Sequence, residues 1–226
     1  MNSRFGGLPV RLRRLEIGAF AFCMLAGVAS AASFSFSGTF TQDDQRQLFL
    51  FTAPSSDVVM RTWSYAGGND AAGDAIAPGG FNPVLSLFDA TGGLTASSAL
   101  VDSNDDGTGV VAADPATLNA YDSLLELTTL LAGHTYALVL TENDNFANGL
   151  TYGDGFSEDG NGNFTAANGC GGNPFCEGPG AQRNGSWAVD ITGVGTAAEI
   201  TGVPEPAAFL LGSLGLCAFV LARRRG

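Results

Sequence analysis

Asp102, Asn104 and Asp106, followed by Gly107, place oxygen-bearing side chains at alternate positions ahead of a glycine. That is the first half of a calcium loop, D-x-[DN]-x-[DN]-G. Oxygens spaced this way around a turn converge on one hard cation, and the glycine permits the sharp bend. Calcium is therefore the candidate cofactor, with Asp102, Asn104 and Asp106 as its candidate ligands. The twelfth position of a helix-flanked loop would be Ala113 rather than Glu, and no flanking helices are evident. The form that survives is an isolated loop in a β-domain. The remaining ligands must come from elsewhere; Asp43, Asp44, Asp89, Glu142 and Asp144 are candidates at strand ends, and nothing in the sequence selects among them. The alternative is an Asx-rich turn that holds no metal. Glu158 to Asn163 is a second stretch of the same kind.

Other chemistries have less to stand on. His134 is the only histidine, it sits in the tight turn Ala132-Gly133-His134, and no G-x-S-x-G elbow occurs, so a Ser-His-Asp triad has no foundation. A glycosidase needs a carboxylate pair in a cleft, and an abundance of acids is not such a pair. The chain is read as non-enzymatic. Trp63, Tyr65, Phe81, Tyr152, Phe156 and Phe164 would form a sugar-stacking platform if exposed, and core or loop anchors otherwise. Cys170 and Cys176, in a Gly- and Pro-rich loop, point to a disulfide formed outside the cytoplasm. A lone cysteine pair with one distant histidine cannot complete a zinc site.

The elements that must position these residues read as strands. Ser33 to Phe40 alternates, with Phe34, Phe36 and Phe40 on one face and Ser33, Ser35, Ser37 and Thr39 on the other. Leu48 to Ala53, Val58 to Tyr65, Pro83 to Asp89, Ser98 to Val101, Leu124 to Leu131, Thr135 to Thr141 and Ser186 to Val194 follow, separated by turn chemistry. Ala66 to Phe81 and Thr108 to Ala120 read as loops. Asn143 to Asn184 is some forty residues of Gly, Asn and Asp, too long for an ordinary connection in a compact domain. Without a convincing amphipathic helix, the expectation is an all-β fold: an antiparallel, jelly-roll-like β-sandwich with long Gly/Asn/Asp loops.

Both ends differ from this middle. Arg4, Arg11, Arg13 and Arg14 precede an apolar run from Ile17 to Val28 and the small residues Ala29-Ser30-Ala31, the pattern of a secretory signal peptide over 1–31 that signal peptidase would remove. The β-sandwich domain is expected over 32–194 and a linker over 195–202. Val203-Pro204-Glu205-Pro206 then opens an uncharged run, 207–222, that ends in Arg223-Arg224-Arg225. Sixteen residues is short for a membrane-spanning helix, which needs roughly 20, and the arginines would stay on the cytoplasmic side. Of 22 acidic residues only Glu16 and Glu205 lie in the ends, whereas seven of the ten arginines do. The middle keeps twenty carboxylates against Arg46, Arg61 and Arg183, a net charge near −17. Such a surface repels nucleic acid and anionic lipid and attracts divalent cations.

Two resemblances add to this reading. The segment 203–226, with its Pro-Glu-Pro triplet, apolar helix and basic end in order, resembles the PEP-CTERM sorting signal of Gram-negative bacteria. The resemblance implies recognition by an exosortase, a membrane transpeptidase-like enzyme, with cutting near the triplet and a setting of exopolysaccharide or biofilm production. The middle resembles the bacterial pre-peptidase C-terminal type of jelly-roll sandwich. It does so through the acidic turn before Leu48-Phe49-Leu50, Pro83 to Asp89 with its glycine turn, Asp102 to Gly107, and Leu131 to Tyr136. Such domains are generally non-catalytic accessories, some of them calcium-binding. Together these imply an exported protein, membrane-anchored in transit and then at the cell surface or in the extracellular matrix. A carbohydrate-binding module for the exopolysaccharide is the alternative and a glycoside hydrolase the remote one.

Overall fold

The structure is a computed structural model that describes residues 31–200. The expected signal peptide, but for Ala31, and the expected sorting segment with its helix 207–222 lie outside the described residues. Among the described residues no helix is long and apolar enough to cross a membrane.

Two antiparallel sheets carry the fold. The first contains β1 (Ala32–Thr39), β3 (Val58–Thr62), β8 (Leu124–Leu127) and β12 (Ser186–Val194), in the order β1-β12-β3-β8. The second contains β2 (Gln47–Thr52), β6 (Pro83–Asp89), β7 (Leu100–Asn104), β9 (Thr135–Glu142) and β13 (Thr196–Ile200), in the order β13-β2-β9-β6-β7. Small hairpins β4 (Gly68–Asn69) with β5 (Ala75–Ile76), and β10 (Cys176–Glu177) with β11 (Ala181–Gln182), lie in the loops.

Alternation decides which side chains meet. Phe49, Phe51, Leu85, Leu87, Tyr136, Leu138 and Leu140 from one sheet pack against Val58, Met60, Leu125, Trp187, Val189 and Ile191 from the other in a single core. Their neighbours point the opposite way. Leu48, Phe88, Ala137 and Val139 form a second cluster on the outer face of the five-stranded sheet, roofed by Tyr152 and Phe156. A strand buried on both faces loses its polar alternation, which is why β6 and β9 read as nearly continuous apolar runs. Gly38 marks a close approach: it stands opposite Trp187, and a Cβ there would come within 2.8 Å of the indole Cε2.

Several stretches depart from the sequence expectation: the strands expected over Val58 to Tyr65 and Leu124 to Leu131 end at Thr62 and Leu127, and the loop expected over Ala66 to Phe81 carries the β4–β5 hairpin. The linker expected over 195–202 contributes β13, which pairs with β2 from Thr196↔Thr52 to Ile200↔Leu48. The strand expected over Ser98 to Val101 instead runs Leu100–Asn104, so Asp102 and Asn104 lie on β7 opposite Leu87 and Leu85 rather than in a loop.

The insertion after β9 is ordered by anchors rather than by long elements. It holds 3₁₀ turns at Tyr152–Asp154 and Phe164–Asn168 and the Cys170–Cys176 disulfide, whose Cα atoms are 5.7 Å apart. Asp43, fully buried, accepts hydrogen bonds from the N–H groups of Asn163, Phe164 and Thr165 and from the Thr165 hydroxyl. Phe175 stacks on Phe81 at 5.6 Å and plugs one end of the core. Arg46 bonds Asp159 at 3.1 Å and lies over the Phe156 ring.

Candidate functional site

The buried carboxylates divide into two kinds. Asp43 has four donors. Asp122 accepts from the Thr62 hydroxyl and from the N–H groups of Tyr65 and Ala66. Asp190 accepts from Ser35, Trp63 Nε1 and Ala71 N–H. Asp114 accepts from Thr117 and from the Arg183 guanidinium at 3.2 Å. Each of these carboxylates has hydrogen-bond donors; Asp122 and Asp190 fasten loops to the four-stranded sheet, and Asp43 and Asp114 join one loop to another.

The other kind gathers at one end of the sandwich. Pro83, at the start of β6, stands opposite Glu142, at the end of β9. Asn82 donates its N–H to Glu177 Oε1 at 3.2 Å and accepts from Asn143 N–H at 2.8 Å. The buried Ser123 hydroxyl contacts the carbonyls of Pro83 at 2.6 Å, Asn104 at 2.9 Å and Asp105, which ties the end of β7 to the start of β6. Asp106 follows, and then Gly107, whose N–H bonds Asp122 O. A Cβ on Gly107 would meet Val111 at 2.6 Å and Asp122 O at 3.1 Å, so the chain can pass here only as glycine. Asn82, Asp105, Asp106, Glu142 and Glu177 thus converge from four segments distant in sequence.

What distinguishes this end is missing donors. Asn82 Oδ1, Asp105 Oδ1, Asp106 Oδ1 and Glu142 Oε2 are buried and have no hydrogen-bond partner. Glu142 is 1% exposed and Asn82 3%. An acceptor left in this state costs about 1–3 kcal/mol, and a charged one more. The electrostatics follow. Burial, reinforced by Asp106, Asp144 and Glu177, raises the Asp105 pKa to about 6. Burial raises Asp106. Burial raises Glu142 well above the ordinary carboxylate range, with Glu177, Asp43 and Asp144 adding to it and Arg183 opposing. Burial also raises Glu177, against the Asn82 hydrogen bond and Arg183.

The residues singled out from sequence are distributed as follows. Asp106 belongs to this end, and so does Glu142. Asn104 is committed within the protein: its Oδ1 accepts from Leu124 N–H at 2.8 Å and its Nδ2 donates to Asp106 O. Asp102 is exposed on β7 and accepts from Ser103 N–H. Asp43 is the insertion anchor described above. Asp89 bonds Thr91 at the far end of β6, 3.8 Å from His134 Nδ1. In the second stretch, Asp159 is paired with Arg46 and Glu158 accepts from Asn161. Asp105, Glu177 and Asn82 carry no motif signal. Among the described residues no three Asp, Glu, His or Cys side chains are placed so that they could hold a metal ion as they stand.

The aromatic candidates are mostly interior. Tyr65, Phe81, Tyr152 and Phe156 are buried. Trp63 is half-buried, with the Arg61 guanidinium 3.8 Å over its ring. A separate groove of about 360 Å³ is lined by Ser37, Thr39, Ser64, Asn184 and Trp187 among others, and the buried Nε1 of Trp187 has no acceptor.

No protein-family model matches the chain, and no curated protein is significantly similar to it.

Proposed function

We propose that this chain is an exported, non-catalytic protein of the cell surface or extracellular matrix of a Gram-negative bacterium, with calcium as a structural cofactor. Signal peptidase removes 1–31. The segment 203–226 holds the chain in the membrane until an exosortase acts near Pro204-Glu205-Pro206, with Val203 ahead of the triplet and Arg223, Arg224 and Arg225 on the cytoplasmic side. The passenger is a jelly-roll-like sandwich of the pre-peptidase C-terminal type, working beside exopolysaccharide and not on nucleic acid.

The observation that carries this reading is the self-sufficiency of the middle. Among the described residues, 32–200 supply two sheets, two apolar clusters and a disulfide. Almost all the acidic charge lies in that middle and most of the arginine in the ends, the partition expected of a soluble cargo between two addresses.

The test is localisation in a host that carries an exosortase. The intact chain should become accessible to protease added outside the cell. Replacing Arg223, Arg224 and Arg225 with glutamate should hold it back in the envelope. A wild-type chain that stays inside a protease-proof cytoplasm contradicts the proposal.

The groove beside Trp187 favours one second reading, a carbohydrate-binding module. The hydroxyl and amide groups of Ser37, Thr39, Ser64 and Asn184 that line it suit a sugar. On a glycan array this reading expects binding that Asn184→Ala weakens; no binding to any glycan removes it.

A further inference from the structure

We infer that Asn82, Asp105, Asp106, Glu142 and Glu177 form a calcium site that clamps the 143–184 insertion onto the end of the sandwich. The inference deepens the calcium part of the proposed function and rests on it, but owes nothing to the export part.

The convergence comes from the fold. Asn82 and Glu142 are brought together by the β6–β9 ladder, Asp105 and Asp106 by the β6–β7 ladder and the Ser123 hydroxyl, and Glu177 by its bond to Asn82 N–H. Of these, only Glu177 belongs to the insertion's far limb, on β10 beside the disulfide. A cation shared between Glu177 and the strand ends would therefore fasten that limb to both ladders.

The unpartnered oxygens point the same way. The protein surrounds its other buried aspartates with donors, yet here Asn82 Oδ1 and Glu142 Oε2 are more than nine-tenths buried and have none. Acceptors alone, gathered without donors, match a hard cation and not a hydrogen-bonding substrate. Arg183, the nearest cation, is committed to Asp114, Gly80 O and Tyr65 O.

The donor set selects the ion. It is all oxygen, so zinc and copper, which favour nitrogen and sulfur, are disfavoured. The only histidine lies at the opposite end of the β6–β9 pair, beside Asp89. Five ligands from four segments make an irregular cage. Calcium accepts six to eight oxygens at about 2.3–2.6 Å in flexible geometry, whereas magnesium demands a near-ideal octahedron. No three of the carboxylates are placed to hold an ion as they stand, so binding would have to draw them inward.

The experiment uses the whole chain, exported by a Gram-negative host, purified, and stripped with EGTA. Calcium chloride should then give a saturable one-site isotherm by calorimetry. At a hundredfold excess over Kd the melting temperature should rise by roughly 5–10 °C, with magnesium at least tenfold weaker. Glu177→Gln and Asp105→Asn, both only partly buried positions, should abolish the shift. Asp102→Ala should leave it intact. Absence of heat and of any shift at 10 mM calcium (about ten times the weakest Kd of extracellular calcium modules) overturns calcium binding altogether. A shift that survives both Glu177→Gln and Asp105→Asn, or that is lost in Asp102→Ala, overturns this ligand set while leaving a calcium protein. Equal or tighter magnesium binding overturns the choice of ion. Surface localisation is unaffected by any of these outcomes.

Discussion

Asp43, Asp114, Asp122 and Asp190 are buried and ringed with donors, whereas Asp105, Asp106 and Glu142 each present a buried oxygen to no donor at all. The difference has a consequence for pH. Asp105, Asp106, Glu142 and Glu177 have pKa values raised above those of the unfolded chain, so folding takes up protons. For Asp105 the stabilising contribution is fully present below its ordinary value of 3.8 and is lost as pH rises through about 6; for Asp106, Glu142 and Glu177 it is lost above the ordinary carboxylate range. Asp114, held low by Thr117 and Arg183 against the cost of its burial, acts in the opposite sense and is lost only as pH falls below the ordinary range. Chelator-treated protein should therefore melt highest near pH 5 and lower at pH 8. Asp105→Asn should flatten that slope, and so should saturating calcium. A metal-free melt that does not change between pH 5 and 8 contradicts the assignment. Only part of this was legible in sequence. The loop motif drew attention to Asp106 and the strand-end rule to Glu142. Asp105 was skipped because it falls between the alternate positions, and Asn82 and Glu177 because ladder register and a long insertion, neither readable locally, bring them there.

At the scale of elements, strands were legible where one periodicity dominated. Phe34, Phe36 and Phe40 alternate with polar residues and face the core, and Trp187, Val189 and Ile191 do the same on β12. β13 was not, because Thr196-Ala197-Ala198-Glu199-Ile200 has little hydrophobic contrast, and pairing with β2 makes it a strand. The insertion was illegible for another reason: its order comes from single side chains reaching across long separations. Asp43 is the clearest, serving four donors some 120 residues away. Asp43→Ala should cost roughly 2–4 kcal/mol, read as a lower urea midpoint, and should open 160–180 to limited proteolysis. A loss under about 0.5 kcal/mol with unchanged proteolysis would show that the segment is held otherwise. Reducing Cys170–Cys176, which closes a short loop of sequence separation 6, should cost about 2 kcal/mol by the loop-entropy relation.

At the scale of the whole molecule, charge and apolarity are separated along the chain. The middle carries twenty carboxylates against three arginines, and the ends carry the remaining seven arginines beside the two uncharged apolar runs. A surface of that charge repels anionic polymers and attracts divalent cations. The proposed function requires the two ends to be removable addresses, and mass spectrometry of the protein from its native source tests that most directly. The mature chain should begin immediately after Ala31 or Ala32 and end near Pro204 to Pro206, without the 207–226 segment. Recovery of intact Met1 to Gly226 from the cytosol would contradict it.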